Sequence, residues 1–345
     1  MTILPDLLET EAALDEILTR PQPALIEFIK TVSSPLLLLG AGGKMGPSLA
    51  VLARRAAQQA GHPLDIVAAS RFTDAAARRW LEDHAIRTIS CDLMDSDSLR
   101  QLPEAENIIY LVGLKFGTTQ NPAVTWAINT LVPAHICERY PHSRMVALSS
   151  GSIYPLVPVK NGGAVETEPL TPLGEYANAC VARERIFEYF SRKNNTPVAL
   201  IRLFYAVELR YGVLVDLAQK VHAEEPVDLM MGYLNWIWQG DANALILRSL
   251  ALACTPPEPL NLTHPHIQSV RTLALKFGEL LGKTVTWVGS EADSALLGNP
   301  ARLCAQLGEP SLPLEVVMRW IAHWILQRGR LLGRPTHFEV RDGRY

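Results

Sequence analysis

The stretch Leu36-Leu37-Leu38-Leu39-Gly40-Ala41-Gly42-Gly43-Lys44-Met45-Gly46-Pro47-Ser48-Leu49-Ala50 decides the fold. Four consecutive leucines, without polar alternation, suit a strand buried on both faces in the middle of a parallel sheet. They run straight into Gly40, Gly43 and Gly46 at G-x-x-G-x-x-G spacing, and then into a segment rich in Ala and Leu, predicted helical over about 47–60. In such a strand–turn–helix, glycine lets the backbone approach a pyrophosphate, whose charge rests on N–H groups at the helix N-terminus. Gly40, Gly43 and Gly46, with Lys44 and Met45 between them, are candidate contacts to a dinucleotide.

Outward from this loop the pattern repeats. Strands are predicted at 65–69, 86–90, 107–112, 144–148 and 197–202, alternating with helices at about 74–84, 96–101, 123–139 and 175–193. Strand–helix alternation implies right-handed βαβ crossovers and an α/β fold with a doubly wound parallel sheet, the Rossmann arrangement. After about residue 203 the regularity weakens, prolines gather at 256–259 and 310–313, and an amphipathic helix is predicted at 314–328. Residues 1–33 read as two short amphipathic helices. The division that follows is an N-terminal helical extension (1–33), a dinucleotide-binding domain (34–205, returning near 237–262), and a smaller C-terminal substrate lobe (206–236 and 263–345). The extension either covers the lobe or mediates a homodimer.

The chain has 345 residues and a net charge of −3, without a charge block or basic stripe, which argues against nucleic-acid and membrane-surface binding. Its five cysteines (91, 137, 180, 254 and 304) form no C-x-x-C pair, so reduced thiols are expected rather than disulfides or a metal site. His264-Pro265-His266 reads as a surface turn. The acidic N-terminus lacks the features of a signal peptide, and no apolar run approaches the roughly 20 residues of a membrane span. A cytoplasmic protein with a small-molecule substrate is expected.

The end of the second strand discriminates between nicotinamide dinucleotides. An acidic side chain there binds the ribose 2′-hydroxyl. This chain has Ser70 and Arg71 instead, and a hydroxyl beside a guanidinium suits a 2′-phosphate, so NADP is favoured over NAD.

The motifs GAGGKMG (40–46), CDL (91–93), YLVGLKFG (110–117), N-x-x-x-P (129–133), SSGSIYP (149–155), EYANACVARE (175–184), IRLFYAV (201–207) and WQGDANALI (238–246) occur in an order that resembles the extended short-chain dehydrogenase/reductases, the NAD-dependent epimerase/dehydratase group. The resemblance spans about residues 35–328. It implies that Asp92 and Leu93 sit against the adenine, that Leu111, Val112 and Gly113 line the ribose and nicotinamide side, and that Lys115 contacts the cofactor. Asn129 matches a buried structural asparagine, and Asp241 a turn between sheet and lobe.

The resemblance also implies a chemistry of hydride transfer to or from a carbinol. Tyr176 matches the proton donor/acceptor and Ser150 the hydroxyl that binds the same oxygen. In the family a lysine four residues after the tyrosine lowers its pKa and holds the ribose. Here that position is Cys180, and a neutral thiol cannot supply an ammonium's field. Lys115, on the loop after the fourth strand, is the expected replacement; Arg183 lies on the same helical face but about 10 Å along the axis from Tyr176. Family members acting on nucleotide sugars carry an asparagine three residues after the arginine of R-x-x-N, where this chain has Arg202 and then Tyr205, which argues for a smaller ligand. Arg210 is either a cation for a substrate anion or part of a salt-bridged loop. The expectation is an NAD(P)-dependent oxidoreductase or epimerase acting on a sugar, sugar acid or related polyol, including a transient-oxidation enzyme that retains its cofactor. A dinucleotide-binding sensor that has lost the lysine is the alternative.

Overall fold

The computed structural model describes residues 4–343 except Phe116 and Thr119. Seven parallel strands form one sheet: β1 (Leu36–Leu39), β2 (Ile66–Ser70), β3 (Arg87–Ser90), β4 (Asn107–Tyr110), β5 (Arg144–Ser150), β6 (Val198–Leu203) and β7 (Glu258–Leu262). Their order is β7-β6-β5-β4-β1-β2-β3. The order reverses beside β1, so the crevice at the carboxyl ends of β1 and β4 is the topological switch point, where open α/β sheets bind ligands.

The helices are α1 (Glu11–Leu18), α2 (Pro23–Ile29), α3 (Gly46–Gln59), α4 (Ala75–Asp83), α5 (Ser96–Arg100), α6 (Pro122–Arg139), α7 (Gly174–Asn194), α8 (Val213–His222), α9 (Gln239–Arg248), α10 (Val270–Leu281), α11 (Ala301–Leu307) and α12 (Leu314–Leu326). The leucines of β1 show why the sheet is covered on both sides. Leu36 and Leu38 enter the core shared with α2, α3 and α9, whereas Leu37 and Leu39 enter the core shared with α6 and α7. That is the period-2 alternation of a strand with apolar residues at every position.

A second core holds the C-terminal lobe, where Trp236, Trp238, Trp320 and Trp324 are buried among residues of α8, α10 and α12. The N-terminal extension covers the lobe and also reaches the sheet core. Leu14 and Leu18 of α1 lie in the lobe core, while Leu25 and Ile29 of α2 lie in the core around β1 and α3. The regularity that fades in the sequence after residue 203 persists in space, since Glu258–Leu262 returns as β7 beside β6. The seven-stranded parallel sheet is the Rossmann arrangement expected. Among the described residues no helix is long and apolar enough to cross a membrane, and no cluster of His, Cys, Asp and Glu could hold a metal. His264 stacks on Trp236, with ring centroids 5.9 Å apart.

Candidate active site

The glycines between β1 and α3 are required for two different reasons. Gly40 has φ +81°, and a Cβ there would stand 2.9 Å from Val112 Cγ2; at Gly46 a Cβ would stand 2.3 Å from the Ala41 carbonyl oxygen. These two let the loop close on the segment after β4 and on itself. Gly43 differs. A Cβ there would meet only the Gly40 oxygen, at 3.4 Å, and the residue is exposed. Among the described residues no group demands a glycine at this position, which lies just before the N-terminus of α3. Met45 is the N-cap residue, and Ser70 at the end of β2 approaches the loop at Gly42, where a Cβ would lie 2.8 Å from the hydroxyl.

From Val112 the site continues across the carboxyl edge of the sheet. The Arg183 guanidinium, on α7, donates from Nη1 to the Val112 carbonyl (2.8 Å) and to Asn129 Oδ1 (3.1 Å), and from Nη2 to Cys180 Sγ (3.2 Å). Arg183 is buried, and its Nε has no hydrogen-bond partner. Gly113 leaves it room, since a Cβ there would stand 2.6 Å from Nη1. Asn129 is itself fixed by donating to the Thr125 carbonyl at 2.8 Å.

Tyr176, in the first turn of α7, is buried and shares hydrogen bonds with the Ser150 hydroxyl and the Cys180 thiol. Burial pushes its phenol well above the usual tyrosine range. Cys180 adds to the rise, while the Arg183 charge and the Ser150 hydrogen bond oppose it. Burial also raises the Cys180 thiol, against the charge of Arg183 and the hydrogen bond with Tyr176. Ser150 is held at the end of β5 by accepting the Ser152 N–H at 3.2 Å.

Lys115 is half-buried on the loop after β4. Burial lowers its ammonium, with Cys180 and Asp216 acting in the opposite sense. The Arg183 charge acts on the Tyr176 phenol, and the Lys115 charge acts on Cys180 and on Lys44. Lys44 donates to the Ala206 carbonyl at 2.6 Å and lies 4.4 Å from the centroid of the Tyr211 ring. It is therefore engaged with the lobe side of the crevice rather than with Ser70 and Arg71, and burial pulls it down to about 7. Arg71 is exposed. The Asp92 carboxylate accepts the Met94 N–H at 3.0 Å, shaping the turn after β3, and Leu93 is buried in the sheet core.

Three other charged residues singled out in the sequence have structural partners. Arg202 donates to both carboxylate oxygens of Glu184 (3.0 and 2.8 Å) and to the Tyr154 hydroxyl. Arg210 pairs with Glu208, Glu11 and Asp15, which assigns it to a salt-bridged loop tied to α1. Asp241 accepts from Gln22, Ser311 and Leu312, joining α9 to α2 and to the segment before α12. The structure thus brings Gly40, Gly43, Met45, Gly46, Ser70, Val112, Gly113, Ser150, Tyr176 and Cys180 along one sheet edge. It adds Arg183 and Asn129 as neighbours that helical spacing alone did not place there.

The residues present fit a dinucleotide. The exposed Gly43 beside the α3 N-terminus keeps clear the space a pyrophosphate needs, and no acidic side chain occupies the first turn of α3. Comparison with known proteins agrees. The family model described as the NAD dependent epimerase/dehydratase family matches residues 36–237, more than half of the chain. No curated protein sequence matches. Among solved structures, a UDP-glucuronic acid 4-epimerase from Bacillus cereus in complex with NAD superposes with TM-score 0.71 at 15% identity, covering 85% of this chain and 99% of that one. A dTDP-glucose 4,6-dehydratase from Bacillus anthracis in complex with NAD gives 0.69 at 16% identity, covering 86% and 97%. An epimerase from Methanothermobacter thermautotrophicus gives 0.70 at 15% identity, covering 89% and 96%. At these identities the likeness is one of fold. With the family match it supports one conclusion: the chain belongs to the NAD dependent epimerase/dehydratase family.

Proposed function

We propose that this protein is an oxidoreductase or epimerase that uses a nicotinamide dinucleotide to act on a carbinol or carbonyl of a sugar, sugar acid or related polyol. The observation that carries the reading is the hydrogen-bonded pair Ser150–Tyr176 at the carboxyl edge of the sheet, linked through Cys180 and Arg183 to Val112 and the glycine loop. A dinucleotide sensor would need neither hydroxyl.

When bound, the nicotinamide supplies the hydride acceptor or donor. Gly40, Gly43, Met45 and Gly46 would hold the pyrophosphate, Asp92 and Leu93 the adenine side, and Val112, Gly113 and Lys115 the inner half. Ser150 orients the substrate oxygen, and Tyr176 carries its proton. The Tyr176 phenol, raised by burial, can give its proton to a carbonyl oxygen in a reduction or in the return half of a transient oxidation. Tyr205 stands where nucleotide-sugar members carry asparagine, which supports a ligand smaller than a nucleotide sugar. Ser70 and the exposed Arg71, in place of a carboxylate, support acceptance of NADP as well as NAD, with NADP preferred.

The test is turnover of a panel of sugars, sugar acids and their keto forms by the wild type and by Tyr176→Phe, with either dinucleotide. Activity that falls by about 10²-fold or more in the variant is expected, in line with removal of a general acid. Full activity in Tyr176→Phe contradicts the assignment. Arg71→Ala is expected to erase any preference for NADP.

A further inference from the structure

Arg183 is a buried cation whose acceptors, among the described residues, are neutral: a carbonyl, an amide oxygen and a sulfur. Both carboxylate oxygens of the nearby Glu184 already accept from Arg202, from its Nε and Nη2. Burying a guanidinium without a carboxylate partner is costly, and the cost falls when a negative charge forms beside it. The group positioned to carry that charge is Cys180, whose sulfur lies 3.2 Å from Nη2 and whose thiol shares a hydrogen bond with Tyr176.

We propose that Tyr176, Cys180 and Arg183 form a proton relay that replaces the missing lysine, with Cys180 as the relay acid and Arg183 as its positioning residue. The inference rests on the reading of Tyr176 as the group that faces substrate. At rest, burial keeps both the phenol and the thiol protonated. In the reductive direction the Tyr176 O–H bond breaks as its proton goes to the substrate oxygen. The S–H proton of Cys180 then passes to the phenolate, leaving a thiolate against the Arg183 guanidinium, and bulk solvent returns one proton at the end of the cycle. The oxidative direction runs the same transfers in reverse. A thiol is the better resting place for the charge, since its ordinary pKa of about 8.5 lies below the phenol's value of about 10. The family's ammonium makes the phenolate itself stable, whereas here the charge moves one group further along the helix.

The groups facing Cys180 are Tyr176, Arg183 and Glu184 on its own helix, Lys115 from the loop after β4, and Tyr110 from β4. Of the charged groups, Arg183 hydrogen-bonds the sulfur, and its bonds to Asn129 and the Val112 carbonyl keep it from turning away. Gly113 keeps the pocket for the guanidinium open.

The test is a thiolate absorbance titration of the purified full-length protein from about pH 7 to 11, with Cys180→Ala as the blank, since an ordinary thiol titrates near 8.5. Wild type is expected to show a Cys180 transition inside this range. Arg183→Met should move it up by at least about one unit, and Arg183→Lys should keep most of the original position because the charge is retained. Lys115→Met should move it less than Arg183→Met does. In turnover, Cys180→Ser should lose about 10²-fold in kcat with cofactor affinity unchanged, because a serine hydroxyl does not release its proton in this range. Cys180→Lys should recover part of that rate by restoring the ammonium. The relay is overturned if wild type shows no thiolate up to about pH 11, if Arg183→Met and Arg183→Lys titrate like wild type, or if Cys180→Ser keeps the wild-type kcat and pH profile. The titration needs no substrate. A protein that binds no dinucleotide therefore overturns the proposed function, while the thiol shift still upholds the Arg183–Cys180 pair.

Discussion

Lys44 rests on the Ala206 carbonyl and beside the Tyr211 ring, and burial brings its ammonium down to about 7 from the ordinary 10.5. In the unfolded chain the same lysine stays protonated through that interval, so the unfolded state binds more protons between about pH 7 and 10.5 and stability rises with pH there. Below about 7 both states hold the proton and the full cost of the buried charge is present. Melting temperatures of the wild type are expected to climb from pH 7 to about 9, with a flatter slope in Lys44→Met. Equal slopes would contradict the burial of that ammonium. Arg183 teaches a different lesson at the same scale. Counting residues along α7 put its Cα far from Tyr176, yet long helical side chains lean toward the N-terminus, and the guanidinium reaches back to Cys180 one turn earlier. Its sequence signal was an arginine three residues after a cysteine, which becomes informative only when the partner loop at Val112 and Gly113 is known.

In the β1–loop–α3 element the packing around Gly40 and Gly46 requires glycine, whereas that around Gly43 does not. Gly46→Ala forces a Cβ into the Ala41 carbonyl and is expected to destabilise the protein by about 1–3 kcal/mol in denaturant unfolding. Gly43→Ala meets only an ordinary contact, so unfolding should be near wild type while dinucleotide affinity drops. A loss of stability matching that of Gly46→Ala would remove Gly43 from the ligand side. Elements of this kind were legible in the sequence because their apolar periods are strong. The strand predicted at 107–112 occupies Asn107–Tyr110, and the helix predicted at 123–139 occupies Pro122–Arg139. What the periodicity could not convey was the destination of side chains at the sheet edge. Lys44 lies in the loop where phosphate is expected, but its flexible stem carries the ammonium to the lobe. Two partners of Arg210, Glu11 and Asp15, lie nearly two hundred residues away on α1, which no local pattern encodes.

Across the whole molecule, the N-terminal extension joins the sheet core to the lobe core. Leu14 of α1 is fully buried in the lobe core, and Leu14→Ala is expected to cost about 2–5 kcal/mol, the range for a leucine removed from a packed interior. Gln22 and Ser311 meet on Asp241, so the extension, α9 and the approach to α12 share one buried carboxylate. The proposed chemistry depends on a bound dinucleotide. The most direct measurement is therefore a calorimetric titration of the purified protein with NAD and NADP, alongside Gly43→Val. The account predicts saturable binding at one site per chain in wild type and its loss in a variant that remains folded. Absence of binding for both dinucleotides, from protein shown to carry none already, would contradict it.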